Sequence, residues 1–215
     1  MHNPVKVIKC PACKQYFRNK SAIYWFDEVG TYWSDGYRSN DITHIIPQIT
    51  RCDECFAFFW ISPVTSPPYQ HSKRAGMALK PLDLSGEIKY QHLRKLTPDE
   101  YAEVLALKIF NSPEEEKYIR THLWWSINEP QRTTNPEEIS PDLQALFEEN
   151  LESLIYKTIP GSPDEIMTLA EMYRELGQFS EAENCIARIN NGDFKTFKVK
   201  MRQKIAEKDR RVFKV

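Results

Sequence analysis

Four of the five cysteines in this chain form two Cys-x-x-Cys pairs. The first pair is Cys10 and Cys13, and the second is Cys52 and Cys55. Two intervening residues let a tight turn aim both sulfur atoms at one point roughly 2.3 Å away, and two such turns complete a tetrahedron. The spacing therefore predicts a zinc site with four thiolate ligands. Such a site has no position for water, so we expect it to be structural.

Two other chemistries use the same residue type. The chain opens without the apolar segment of a secretory signal, so we expect a cytoplasmic protein with reduced thiols rather than disulfides. Iron bound as in rubredoxin is the second choice of metal, because Cys-x-x-Cys pairs alone do not distinguish iron from zinc. The fifth cysteine, Cys185, is predicted to be a buried, unreactive thiol.

The composition predicts a soluble protein of one large or two small domains. The chain has 215 residues, of which 41% are hydrophobic and 27% are charged, and its formal net charge is -1. Its longest apolar run, residues 56–61, is too short to span a bilayer. A zinc-binding unit of about sixty residues has a marginal core, so metal binding is expected to be coupled to its folding.

Strand-forming residues surround both cysteine pairs and predict a zinc ribbon in residues 1–62. Between the pairs lies a long aromatic insertion, residues 14–51, in which Asp35-Gly36 favours a hairpin turn. We expect this insertion to extend the sheet of the ribbon. The expected strands lie near residues 23–26, 31–34 and 37–39.

Ser34, Asp35 and His44 have the residue types of a hydrolytic triad. No glycine-framed nucleophile elbow surrounds Ser34, however, and Ser and Asp beside Gly are ordinary turn residues. We interpret His44 as structural or exposed, because four thiolates already fill a metal site. The chain also lacks a phosphate-binding glycine loop and a His-Glu-x-x-His motif, so the sequence does not predict an enzyme.

The order of these motifs resembles that of a family of bacterial zinc-ribbon proteins with a helical, tetratricopeptide-like region after the ribbon. The resemblance covers roughly residues 8–62, and Trp124-Trp125, Asn128 and Arg132 also resemble that family. It departs at Tyr37, where a basic residue is expected. The resemblance implies a fold and no particular activity. The residues that carry this resemblance are the two cysteine pairs together with Gly30-Thr31, Trp33-Ser34-Asp35-Gly36, Pro47, Arg51 and Phe59-Trp60.

The second half of the sequence predicts an all-α domain, which makes the fold class α+β. Residues 63–96 are rich in proline and lack any period, as expected of a linker. In residues 97–215, four helix starts share a hydroxyl N-cap, a following proline and acidic residues in the first turn. Their N-caps are Thr97, Ser112, Ser140 and Ser162, and three of them complete a capping box with Glu100, Glu115 and Glu165.

Residues 163–190 match the spacing of one tetratricopeptide repeat. Gly177 allows a turn between helices of about 163–176 and 180–189. Because such units need neighbours to bury their faces, we expect flanking helices from Pro141 and from Asp193. The matching residues are Ile166, Leu169, Ala170, Tyr173, Gly177, Phe179, Ala182, Ile186 and Ile189.

The last predicted helix is strongly basic. Residues 195–214 hold nine Lys and Arg against Glu207 and Asp209, a net charge of +7. This charge favours contact with nucleic acid, or with the acidic helices that begin near Glu114 and Glu137. We interpret the helix as a solvated cap of the helical domain.

These features together favour a cytoplasmic interaction or scaffold protein. In this interpretation a structural zinc ribbon supplies a rigid exposed sheet, and a groove of the tetratricopeptide-like hairpin binds a protein or peptide partner. The alternative is a nucleic-acid-binding zinc ribbon that uses exposed aromatic residues and the basic C-terminal helix.

Overall fold

The computed structural model describes residues 7–18, 30–39, 47–61, 91–133, 135–189 and 192–215. These residues form two compact units. The ribbon unit consists of residues 7–18, 47–61 and 91–96, and the helical unit consists of residues 30–39 together with the described residues from 97 to 215.

The described residues contain short β-strands followed by α-helices. The strands are β1 (Val7–Lys9), β2 (Tyr16–Arg18), β3 (Thr31–Tyr32), β4 (Arg38–Ser39), β5 (Ile49–Arg51), β6 (Phe58–Trp60) and β7 (Gln91–His92). The helices are α1 (Pro98–Ala106), α2 (Pro113–Asn128), α3 (Pro141–Lys157), α4 (Pro163–Glu175), α5 (Phe179–Ala187) and α6 (Lys195–Ala206). No helix in this part of the chain is long and apolar enough to cross a membrane.

The ribbon unit is built from small sheets around the cysteines. β1 pairs with β2 in antiparallel orientation, β7 adds to β2 in parallel orientation, and β5 pairs with β6 in antiparallel orientation. Ile8, Phe17 and Phe59 are buried together with Cys10 and Cys52. In the described part of this unit, the two buried cysteines therefore belong to the same core as the apolar side chains.

The end of the predicted linker belongs to the ribbon unit. β7 lies within it, the hydroxyl of Thr50 donates to the carbonyl of Arg94 at 3.1 Å, and Leu96 is buried. A strand of two residues is too short to leave a period in the sequence, which is why this stretch resembles a linker. Residues 62–90 lie outside the described residues.

The hairpin in the insertion does not extend the sheet of the ribbon. Within the described residues, β3 pairs with β4, and Trp33 bridges to Lys214, all inside the helical unit. The loop has three residues: the N–H of Trp33 donates to the carbonyl of Tyr37, and Gly36 adopts a φ of +78°. The predicted strand near 23–26 and His44 lie outside the described residues.

Four helices begin where the sequence predicts them. Thr97 and Ser162 form complete capping boxes. The hydroxyl of Ser112 accepts from the N–H of Glu115, whose carboxylate bonds to the N–H of Asn111 instead of closing the box. The hydroxyl of Ser140 makes no capping bond. The same local sequence thus produces caps of different completeness.

In the helical unit each helix packs against its neighbours in the chain, from α1 to α6. The helices α4 and α5 form the predicted hairpin, joined at Gly177 with a φ of +78°. The helices α3 and α6 flank this pair as expected, and Cys185 is buried as predicted. Whether the pair is a tetratricopeptide repeat stays a prediction.

The two Ser-Pro-Asp helix starts provide a matched test of the caps. Ser162→Ala removes a hydroxyl that caps α4 and should lower the free energy of unfolding by about 1 kcal/mol. Ser140→Ala removes a hydroxyl with no capping bond and should cost less than half as much. Urea unfolding followed by circular dichroism measures both, and equal losses would contradict the assignment.

Candidate metal centre and the anchor of the hairpin

The four predicted cysteine ligands converge on one point. Their sulfur atoms all lie within 4.8 Å of one another. The sulfur of Cys10 is 3.7 Å from that of Cys55, and the sulfur of Cys13 is 3.6 Å from that of Cys52. A tetrahedron with metal–sulfur bonds of about 2.3 Å has sulfur–sulfur edges of about 3.8 Å. The four side chains therefore have the geometry to hold one metal ion.

Both cysteine pairs sit on turns of the same kind. The N–H of Lys14 donates to the carbonyl of Cys10 at 3.1 Å, and the N–H of Phe56 donates to the carbonyl of Cys52 at 2.8 Å. Lys14 and Phe56 also share a left-handed backbone, with φ of 67° and 57°. For residues other than glycine this conformation costs on the order of 1 kcal/mol. Both turns nevertheless adopt it, since it closes the loop that aims two sulfur atoms to one side.

The thiols of Cys52 and Cys55 differ in their pKa. Cys10 and Cys52 are buried, whereas Cys13 and Cys55 lie at the surface. Burial raises the pKa of Cys52 to about 12. A hydrogen bond from the backbone N–H of Ala57 lowers the pKa of Cys55 to about 7. A bound cation stabilises the thiolate form of its ligands, so metal binding must release protons at neutral pH.

Among the described residues, no histidine or carboxylate joins the four cysteines in this cluster. Four thiolates fill a tetrahedral coordination shell, which is the ligand arrangement of structural zinc sites.

The assignment of the cysteine ligands can be tested by replacing one of them, with the buried Cys185 outside the cluster as the control. Loss of a residue that only hydrogen-bonds to a metal ligand typically weakens metal binding by roughly 10–100-fold. Cys55→Ser removes a ligand itself, so it should weaken metal binding by more than this. Cys185→Ser should keep one metal ion per chain. Elemental analysis of the purified variants measures the metal content, and a full equivalent in Cys55→Ser would contradict the assignment.

The tip of the hairpin is anchored inside the helical unit by two buried side chains. Ser34 and Asp35 are 5% and 1% exposed. The hydroxyl of Ser34 donates to Glu171, and the carboxylate of Asp35 pairs with Arg132. The amide of Asn128 donates to Asp35 at 3.3 Å. The hairpin is therefore held by charged and polar contacts rather than by apolar ones alone.

Two tryptophans of α2 and charged residues of α4 complete this network. The indole N–H of Trp125 donates to the carbonyl of Asp35 at 3.0 Å, and that of Trp124 donates to Glu175 at 2.9 Å. Arg174 donates to Glu171 at 2.9 Å. We call these residues the hairpin anchor, listed as Ser34, Asp35, Trp124, Trp125, Asn128, Arg132, Glu171, Arg174 and Glu175.

The charges of the hairpin anchor do not balance if every acid is ionised. Arg132 pairs with Asp35 and Arg174 pairs with Glu171, which leaves Glu175 without a cationic side chain of its own. Burial, together with the nearby carboxylates, raises the pKa of Glu175 well above its usual value. Burial and these carboxylates therefore favour the protonated form of Glu175.

The structure refines the prediction for Ser34 and Asp35. They are turn residues, as predicted, but their side chains are buried and hold the hairpin. Trp124, Trp125 and Asn128, which the sequence singles out on α2, all lie in the anchor. Sequence reasoning missed Glu171, Arg174 and Glu175, because three charged residues on one face of a helix resemble a solvated surface. Tyr173 lies on another face of α4, where its pKa is raised by burial and by Cys185.

Comparisons of the chain with protein-family models, with curated proteins and with solved structures found no match. The metal centre and the hairpin anchor are therefore the two built features that carry the functional conclusion.

Two neutral substitutions distinguish the acids of the anchor. The pKa of Glu175 is higher in the folded state than in the unfolded state, where it is about 4.3. Its contribution to stability is therefore complete below about pH 4.3, and it is lost as the pH rises toward the folded-state pKa. Glu175→Gln should therefore match the wild type near pH 4 and exceed its stability near pH 9. Glu171→Gln leaves Arg174 buried without its carboxylate and should cost about 3 kcal/mol at neutral pH.

Urea unfolding at several pH values measures both variants. A loss in Glu175→Gln as large as that in Glu171→Gln at pH 9 would show that Glu175 is ionised in the fold.

Proposed function

We propose that this protein is a zinc-dependent interaction protein, in which a four-cysteine ribbon is structural and the helical unit binds a protein partner. The observation that carries the proposal is the closed set of four sulfur atoms within 4.8 Å of one another. Zinc suits this role because it has no redox chemistry and prefers tetrahedral thiolate sites. Iron would use the same ligands, and elemental analysis separates the two.

The helical unit offers a concave surface for a partner. A cleft of about 650 Å³ lies between α3, the stretch before it and the stretch after α6. Phe147 and Ile139 give it an apolar part, and Gln144 and Arg210 give it a polar part. Most of its other lining residues are charged, among them Glu138, Glu175 and Lys208, so a partner segment with polar and charged side chains suits this cleft.

The basic residues of 195–214 give little support to the nucleic-acid alternative. Arg202 pairs with Glu183 at 2.8 Å, and Arg210 pairs with Glu148 at 3.2 Å. Lys204 lies 2.9 Å from Asp209. Because these cations meet carboxylates of the same unit, they present a weaker positive field than their number predicts.

One observation in the ribbon unit favours nucleic-acid binding. Phe56 is 61% exposed, and the guanidinium of Arg51 lies 5.4 Å from the centre of its ring. An exposed ring beside a cation is a surface on which a base can stack. Nucleic-acid binding is therefore the second candidate function.

A capture experiment with matched variants tests the preferred function. Gln144→Arg places a new charge in the cleft, whereas Glu152→Arg places it on an exposed position of α3 that does not line the cleft. Proteins that co-purify with the wild type and with Glu152→Arg should be lost from Gln144→Arg, by roughly tenfold or more in quantitative mass spectrometry.

The lysate is treated with nuclease in one arm of this experiment. Capture that survives nuclease supports direct protein contacts, whereas capture that nuclease abolishes supports the nucleic-acid alternative. Equal capture by Gln144→Arg and Glu152→Arg would contradict a partner site in the cleft.

A further inference from the structure

The last residues of the sequence lie against the helical unit in a way typical of a bound peptide. The N–H of Val212 donates to the side chain of Gln131 at 3.0 Å, and the N–H of Phe213 donates to the hydroxyl of Ser34 at 3.0 Å. The N–H of Ser34 returns a bond to the carbonyl of Phe213 at 2.9 Å. Main-chain groups of this stretch, residues 209–215, are thus recognised one after another. We call it the 209–215 segment.

The same recognition continues at both ends of the segment. Arg174 donates to the carbonyl of Asp209, and the N–H of Val215 donates to the carbonyl of Tyr32 at 2.9 Å. Between these points Lys214 forms an antiparallel bridge with Trp33. Adding an extended chain to a strand through main-chain hydrogen bonds is a common mode of peptide recognition, and it tolerates changes in sequence.

Two side chains of the segment carry the specificity. Val212 and Phe213 are 7% and 9% exposed, whereas Lys214 and Val215 are exposed. The ring of Phe213 lies 6.2 Å from that of Phe197 and 5.3 Å from the guanidinium of Arg174. An aliphatic residue followed by an aromatic one is therefore the pattern that this groove accepts.

The groove is held in shape by contacts that do not involve the segment. Arg174 is fixed by Glu171, which also accepts from the hydroxyl of Ser34. The amide of Gln131 donates to Asn128 at 3.4 Å. The recognising side chains are therefore positioned by partners in the hairpin anchor as well as by the segment.

The segment is also the kind of element that another chain can displace. It follows α6 through Lys208, which has a left-handed φ of 52°, and it forms no helix of its own. The cleft of about 650 Å³ lies beside residues 207–211. A competing segment with larger apolar side chains before its aliphatic–aromatic pair would reach Phe147 and Ile139 there.

We propose that the groove holding the 209–215 segment is a peptide-binding site whose resident ligand is that segment. Its partner is an extended segment of another protein with an aliphatic residue followed by an aromatic one. This inference rests on the proposed function and names the partner class. A segment tethered by a short linker acts at an effective concentration of roughly millimolar, so a partner binds only after outcompeting it.

The probe for this site is a fluorescein-labelled peptide with the sequence of residues 207–215. It should bind the full-length Phe213→Ala variant at least tenfold more tightly than the wild type, because the weakened resident segment vacates the groove more often. Val199→Ala, which changes an exposed side chain of α6 outside the segment, should bind as the wild type does. A peptide with Ala in place of the aromatic residue should not bind Phe213→Ala.

Fluorescence anisotropy measures these affinities, and circular dichroism establishes that each variant is folded. Folded Phe213→Ala that does not bind the peptide would overturn the proposal.

Hydrogen exchange of the wild type gives a second measurement, which decides the matter if Phe213→Ala does not fold. The amides of Val212, Phe213 and Val215 should exchange at least tenfold faster than amides in the interior of α4, because the segment opens without global unfolding. Equal rates would make the segment a permanent part of the core and overturn the proposal. Capture that depends on Gln144 would then still support the proposed function, so the two failures are distinguishable.

Discussion

The constraint on which the ribbon unit depends is the convergence of four sulfur atoms at a spacing that one metal ion can span. They lie within 4.8 Å of one another, although 39 residues separate Cys13 from Cys52. Thiolates at this distance repel one another, and thiols attract only weakly, so neither form joins two distant turns. Among the described residues, the apolar side chains packed with these cysteines are few. If a metal ion is bound as we propose, its binding contributes to the folding of this unit.

The hairpin anchor supplies the corresponding constraint in the helical unit. Both cysteine pairs belong to the ribbon unit, but the hairpin between them belongs to the helical unit. Ser34 and Asp35 fix the hairpin through two ion-paired partners, Glu171 on α4 and Arg132 in the turn that follows α2. The same hydroxyl of Ser34 accepts a hydrogen bond from the N–H of Phe213. One turn of the insertion therefore organises both the helical unit and the groove proposed for a partner.

The features predicted well from the sequence are those encoded by short spacings. Cys-x-x-Cys pairs and Ser-Pro-Asp helix starts carry their geometry within a few residues, so the ligand set and four helix starts were predictable. The hairpin anchor was not, because Ser34 meets Glu171 across 137 residues. Charged residues on α4 have the pattern of a solvated face, and only the fold reveals their burial. β7 escaped prediction because two residues are too few to show a period.

X-ray absorption spectroscopy at the zinc edge, on the purified and reduced full-length chain, tests the central claim most directly. The account predicts one zinc ion per chain with four sulfur neighbours at about 2.3 Å and no nitrogen or oxygen in the first shell. A first shell containing nitrogen or oxygen, or a chain that folds its ribbon without stoichiometric metal, would contradict it.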